Sequence, residues 1–300
     1  YTPSLNAFIH LNEQAVIAAA KSADKKRNSG QQLGELFGIP ISLKDVIVTE
    51  GIPTTFGTIA FADFTPNKNA PVISQLLAAD AIIFGKNNAQ EWAYGSNGYN
   101  SHYGQQLNPY DPSKIAGGSS GGGAAAVSAR MLPITIGSDT AASIRVPAAH
   151  TGLYGFRPSI RRYDTAGVAP LAPTLDTIGP MARSIDDVIL IDRVLATDPG
   201  RITELKLTEL RLGVPNSFFY ADCSSEVQDA FQSFLGALRD AGVTLVEADL
   251  PQVRGLTDAG LYAILFHETY PAIKTFLEEW GDGTSIETLH TSLGLSLIHI

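Results

Sequence analysis

Apolar residues in "LNEQAVIAAAKSADKKR" recur at helical spacing until the pattern breaks at Ser29-Gly30, which predicts a helix over about 11–27. "LFGIPISLKDVIV" then reads as a β-rich run interrupted by Pro40. "APVISQLLAADAIIFGK" predicts a helix followed by a short buried strand over 81–85. A long polar passage, "NNAQEWAYGSNGYNSHYGQQLNPYDPSK", comes next, and loops of this length inside a compact domain are usually functional. Beyond a Gly/Ser run, "AAAVSARM" predicts a helix and "LPITIG" a strand. Later, "LRLGVP" predicts a strand, and Ser225 with Gln228 a capping box for "EVQDAFQSFLGALRDA". Val227, Ala230, Phe231, Phe234, Leu235 and Leu238 form one apolar face of that helix, Gly242 ends it, and "VTLVEADLP" is the next strand. Strand, helix and strand of this length predict a parallel α/β architecture.

Composition narrows the partners. The 300 residues are 44% hydrophobic, enough for one large domain or two modest ones. Net charge is −9, with 21 Lys+Arg against 30 Asp+Glu, and no basic cluster is denser than Lys25-Lys26-Arg27, so no nucleic-acid partner is expected. No apolar run approaches the ~20 residues that span a bilayer, and the first residues do not read as a signal peptide. With Cys223 alone there is no internal disulfide, and a cytoplasmic protein is the expectation.

Three stretches carry candidate chemistry. From Gly117 to Gly123 every residue is Gly or Ser. A flexible linker is one reading, though apolar segments resume at once. A phosphate loop is another, but no Lys follows Gly121, Gly122 or Gly123 as a P-loop requires, and no strand leads in. The third is a catalytic serine loop: Gly117-x-Ser119-x-Gly121 matches a nucleophile elbow, again without the preceding strand, and His150, His267, His290 and His299 all lie downstream. In "IGSDTAASIRVP", Ser143 lies after a strand and at a predicted helix start. There the N–H groups of Thr140, Ala141, Ala142 and Ser143 can converge on a developing oxyanion, or Ser143 can be a simple N-cap. Lys44 interrupts an apolar strand, either on an exposed edge or as a desolvated base.

"GIPISLKD", "NPYDPSKIAGGSSGGGAAAVSA", "GSDTAASIRVPAAHTGLYGFRPS" and "PLAPTLDTIGPMARSIDD", in this order, resemble the amidase signature family of serine hydrolases. Ser143 follows Ser119 by 24 positions, the family's spacing between its two serines. The resemblance is strong from about 38 to 196, which marks the catalytic core. It implies a single amidase signature domain over 1–300, with 197–300 its later strand–helix–strand part, and a mixed central β-sheet flanked by helices on both faces (α/β/α). It implies Ser143 as nucleophile, Ser119 as bridge joined to Gly118 by a cis peptide, and Lys44 as base, with an acyl-enzyme and no cofactor or metal. Small residues around Ser119 would let the chain turn sharply and approach its partners closely. Where the family commonly has Thr-Gly-Gly-Ser, this chain has Thr140-Ala141-Ala142-Ser143. That variant is similar to indoleacetamide- and mandelamide-type amidases and implies a small aryl or aryl-acetyl primary amide as substrate. The other reading is an amidotransferase glutaminase component releasing ammonia from glutamine. Trp92, Tyr94, Tyr99 and Tyr103 either line an aryl pocket or pack the loop. A homodimer is compatible with the resemblance, and no membrane is implied. Family members run further at both ends, so the chain is expected to be incomplete, with "SLGLSLIHI" matching no family text.

Overall fold

A computed structural model describes residues 2–200, 203–215, 218–220 and 222–294. The chain divides into two compact units, Tyr1–Pro199 with His267–Ile300, and Gly200–Phe266. The first contains α1 (Thr2–Leu5), β1 (Phe8–His10), α2 (Glu13–Asn28), β2 (Pro40–Lys44), α3 (Pro71–Ala78), β3 (Ile82–Asn87) and α4 (Gly121–Ser128). It continues with β4 (Ile134–Asp139), α5 (Arg145–Thr151), β5 (Tyr154–Gly155), β6 (Thr177–Ala182) and α6 (Ile185–Leu195).

These strands form one mixed six-stranded sheet in the order β1-β3-β2-β4-β6-β5. The central strands β3, β2 and β4 run parallel, while β1, β6 and β5 pair antiparallel with their neighbours. Every residue of β4 and all of β2 but Pro40 are buried, so both strands read as apolar runs rather than alternations. The polar members buried among them, Ser42, Lys44, Thr135, Ser138 and Asp139, need partners inside. Parallel pairing brings the carboxyl ends of β2, β3 and β4 to one edge, the usual crevice of an open α/β sheet.

α4 packs across β2, β4 and β6 and is buried from Gly121 to Val127. The Gly/Ser run is therefore the start of a buried helix, not a linker. A Cβ on Gly122 would lie 2.4 Å from the Asn88 carbonyl and 2.5 Å from that of Ala7. The Asn-rich passage supplies the polar satisfaction this tight packing needs. Asn88 Nδ2 donates to the carbonyls of Asn6, Tyr103 and Gly104, and Asn100 Nδ2 to those of Gly57 and Ala89.

β6 was not foreseen from the pattern. "TIGPMA" carries Gly179 and Pro180, which argue against a central strand. It pairs with β4 over its whole length nevertheless, with Ile136 opposite Pro180. A Cβ on Gly179 would collide with the Phe156 carbonyl at 2.0 Å, so the glycine marks close backbone approach.

In the second unit, β7 (Arg211–Val214) and β8 (Thr244–Glu247) pair in parallel around α7 (Ser225–Asp240), as the strand–helix–strand pattern predicts. The capping box is not formed: Ser224, not Ser225, is the N-cap, and the Gln228 amide donates to the carbonyls of Tyr220 and Cys223. Of the expected apolar face of α7, Leu235 is buried, whereas Val227 and Phe234 are each 56% exposed. Gly242 follows the helix at φ +92°, as a C-terminal glycine should. α8 (Val253–Leu256) ends this part of the chain, and α9 (Tyr262–Trp280), from His267 onward, and α10 (Ile286–Ser292) belong to the first unit. Among the described residues no helix is long and apolar enough to cross a membrane. Residues 295–300 of the unmatched C-terminal stretch, His299 included, lie outside the described residues.

Gly122→Ala is expected to destabilise the first unit even though alanine is the better helix former. Forcing Cβ into two backbone oxygens costs about 1–3 kcal/mol, which thermal denaturation would read as a midpoint lowered by several degrees. An unchanged midpoint would contradict the packing described.

Candidate active site

Lys44, the last residue of β2, turns its side chain into the protein and is 1% exposed. Its Nζ lies 2.6 Å from the Ser119 hydroxyl and 2.9 Å from the Ser138 hydroxyl. Burial lowers its pKa from the ordinary 10.5 to about 7, although the carboxylates of Asp139 and Asp176 pull the other way. A lysine of this kind is half-neutral at neutral pH and can accept a proton.

Ser119 is fully buried, and the Gly118–Ser119 peptide is cis. Its carbonyl accepts from the Gln90 N–H at 3.2 Å, and the next N–H, that of Ser120, donates to the Ser143 carbonyl at 3.3 Å. Gly118 must be glycine, because a Cβ there would lie 2.4 Å from the Gly98 nitrogen. The Ser120 hydroxyl reaches the Ser138 carbonyl at 3.2 Å, closing a small ring of contacts between the serine loop and β4. Ser143, 8% exposed, stands at the turn between β4 and α5, beside this loop. The structure thus brings Lys44 and Ser119 into direct contact and holds Ser143 to the loop through backbone. No hydrogen bond joins the Ser143 and Ser119 side chains among the described residues.

Asp139 organises the nucleophile turn. Its buried carboxylate accepts from the N–H groups of Ala142 (2.8 Å) and Ile144 (3.1 Å), from Arg145 Nε and Nη2, each at 3.1 Å, and from Arg157 Nη1 at 3.1 Å. Burial alone would raise this carboxyl; the bonds from Arg145, Ile144 and Ala142 offset that and hold it below the usual carboxylate range. One of the four expected oxyanion donors is therefore committed elsewhere: the Ala142 N–H faces Asp139. The N–H groups of Thr140, Ala141 and Ser143 have no protein acceptor among the described residues. Ala142 also sits at φ +88°, in the region that favours glycine. The Thr140 hydroxyl is fixed by Asp176 at 2.5 Å, and Asp176 in turn accepts from the Leu171 and Ala172 N–H groups.

A cavity of about 540 Å³ opens at this edge, walled by Ser138 and Thr140 of the site and by Asp176, Leu171, Phe276 and Trp280 among others. Its volume suits a small organic molecule. The aromatic residues of the polar passage do not wall it. Trp92 is buried, donates Nε1–H to the Pro170 carbonyl and packs on Phe56, while Tyr99 is half exposed. Trp92 and Tyr94 line a second, apolar cavity of about 470 Å³ with Tyr270, Ile273 and Leu289. Of the histidines weighed as partners, His267 lines the first cavity, and none bonds to Ser119 or Ser143 among the described residues. Ser138 is the functional candidate that sequence patterns missed. Its one signal was a serine at the strand end beside Asp139.

A mixed sheet with parallel central strands, a buried lysine on a serine loop and a second serine behind a strand end together define a class of amide-hydrolase scaffold. The amidase family matches residues 1–293, and the chain belongs to that family. It is 41% identical over 266 residues to the glutaminase component (GatA-type) of the glutamyl-tRNA(Gln) amidotransferase of Chloroflexus aurantiacus, covering 84% of this chain and 55% of that protein. It is 37% identical over 291 residues to the mandelamide hydrolase of Pseudomonas putida, covering 95% of this chain and 57% of that protein. The peptide amidase of Stenotrophomonas maltophilia superposes with a TM-score of 0.86 at 30% identity, over 96% of this chain and 63% of that one. The chain spans little more than half the length of these curated relatives. The amidase signature fold expected from the sequence is the one observed.

Two outcomes follow from this geometry. Between about pH 7 and 10.5 the unfolded chain carries a proton on Lys44 that the folded chain does not, so this residue makes stability rise with pH across that window. Lys44→Met should raise the thermal midpoint at pH 7 and have a smaller effect at pH 10.5; a uniform effect at both pH values would contradict a lowered pKa. Ala142→Gly should relieve the positive-φ strain and raise the midpoint by about 1–3 °C, since such strain costs about 1–2 kcal/mol. A lowered midpoint would mean the turn does not hold the conformation described.

Proposed function

We propose that the protein hydrolyses a small carboxylic amide, foremost an aryl or aryl-acetyl primary amide, to acid and ammonia. Ser143 is the nucleophile, Ser119 the bridge and Lys44 the base. The observation that carries this reading is the 2.6 Å contact between Lys44 Nζ and Ser119 Oγ in a buried site where lysine is half-neutral near pH 7. Neutral Lys44 takes the Ser119 proton as Ser119 takes that of Ser143, and Ser143 Oγ adds to the amide carbonyl carbon. The oxyanion is met by the N–H groups of Thr140, Ala141 and Ser143. Collapse breaks the C–N bond, the proton returns through Ser119 to the departing ammonia, and water then cleaves the acyl-serine ester. The Ser119–Ser143 hydrogen bond forms when substrate is bound, as contacts of this kind tighten in the complex. Similarity to mandelamide hydrolase over 95% of the chain supports an aryl amide.

A second reading, the ammonia-releasing component of an amidotransferase, is supported by the 41% identity to such a protein. Glutamine turnover that appears only with a partner protein would favour it. C-terminal peptide amides belong in the same screen, given the peptide amidase likeness.

Treatment with a fluorophosphonate, followed by peptide mass spectrometry, should locate the label on Ser143. Lys44→Ala should label at least ~10²-fold more slowly, as loss of a general base does. A label on any other serine would remove Ser143 from the role of nucleophile.

A further inference from the structure

Lys44 touches two hydroxyls, not one. Beyond the 2.6 Å contact to Ser119, its Nζ donates to Ser138 Oγ at 2.9 Å. The two serines differ in what surrounds them. Ser119 is fully enclosed, whereas Ser138, on β4, forms part of the wall of the 540 Å³ cavity. The Ser138 hydroxyl donates to no protein acceptor among the described residues, so its proton is free to face that cavity. Its backbone is held on both sides, by pairing with Ile178 of β6 and by the Ser120 hydroxyl on its carbonyl. The hydroxyl therefore has a fixed place beside the amine.

A neutral amine has two N–H donors and one lone pair. To take a proton from Ser119 it must aim the lone pair at Ser119, which requires an N–H to be satisfied elsewhere in a buried site. The only other side-chain hydroxyl in hydrogen-bond reach of Nζ among the described residues is that of Ser138. We propose that Ser138 is a positioning residue: its hydroxyl accepts an N–H of Lys44, leaves the amine lone pair to Ser119, and connects the buried amine to the cavity. The inference rests on the Ser143–Ser119–Lys44 reading and deepens it. The step is a proton movement alone, with no bond made or broken to Ser138 other than hydrogen bonds. The charged groups acting on Lys44 are Asp139 at the end of β4 and Asp176 just before β6; Lys86 of β3 is turned instead to Ile47, Thr54 and Asp45.

The test is the rate of fluorophosphonate labelling at Ser143 as a function of pH, for the unaltered protein, Ser138→Ala and Ser138→Thr, with thermal midpoints measured alongside. Ser138→Ala should lower the plateau rate about tenfold or more. Because the lost acceptor stabilised the ammonium form more than the amine, the acid limb should also move to lower pH, by about one unit. Ser138→Thr keeps the hydroxyl and should return both the plateau and the limb to near their original values. A purely structural role would lower the midpoint and the rate in both variants and leave the acid limb in place, which overturns the proposal. So would Ser138→Ala labelling at the original rate and pH dependence. If the unaltered protein is not labelled at Ser143, the underlying functional reading fails and takes this inference with it. If it is labelled and Ser138→Ala is indistinguishable from it, only the role of Ser138 fails.

Discussion

A lysine side chain enclosed in protein, its Nζ between the hydroxyls of Ser119 and Ser138, sets the terms for everything around it. Burying an ammonium without a full set of partners is costly, and the protein meets that cost by letting the group lose its proton near neutral pH. The result is a base made by desolvation. It holds only while the surrounding shell stays dry and closely packed, so the shell explains much of the sequence. Gly118 and Gly122 have no side chain because backbone from Gly98, Asn88 and Ala7 occupies the space. The Asn-rich passage is ordered because Asn88 and Asn100 satisfy carbonyls that this packing would otherwise leave buried without donors.

The sheet supplies the geometry. Parallel β3, β2 and β4 place Asn87, Lys44 and Asp139 at neighbouring strand ends, so residues more than forty positions apart meet without a long excursion of chain. Asp139 then converts a strand end into a turn. By gathering the Ala142 and Ile144 N–H groups and two arginines it fixes Ser143 beside the serine loop, and it accommodates Ala142 at positive φ. Strain at a nucleophile turn of about this size is tolerable where surrounding bonds over-determine the conformation. The same carboxylate consumes a donor that a simple helix-start picture would offer to an oxyanion.

Much of this was legible in the chain. The helices at 13–28 and 71–78, the strands at both candidate catalytic ends and the β7–α7–β8 unit follow from periodicity, because each is a local pattern with a clear start or stop. β6 was hidden, since Gly179 and Pro180 are strand-breaking by local rule and are accepted only because Phe156 and β4 close in on them. The capping box failed for a related reason: Ser224 and Ser225 are both adequate caps, and the choice between them lies in the incoming chain. At the site, Lys44, Ser119 and Ser143 could be picked out only as a set, by resemblance, because each alone has an ordinary structural explanation. The place of Ser138 against Lys44 depends on the register of β2 with β4, which no residue spacing reveals. Trp92 and Tyr94 were legible as aromatic residues near the serine loop, but which cavity they face is a matter of tertiary packing.

The claim on which the account turns is that Lys44 exchanges its proton near neutrality inside the folded protein. It can be observed directly by NMR of protein carrying lysine labelled with carbon-13 at Cε, with the Lys44 signal assigned by its absence from Lys44→Met. The account predicts a titration midpoint near 7, distinct from the exposed lysines and below that of Lys86 at about 8. A Lys44 signal that titrates with the exposed lysines, near the ordinary 10.5, would contradict it.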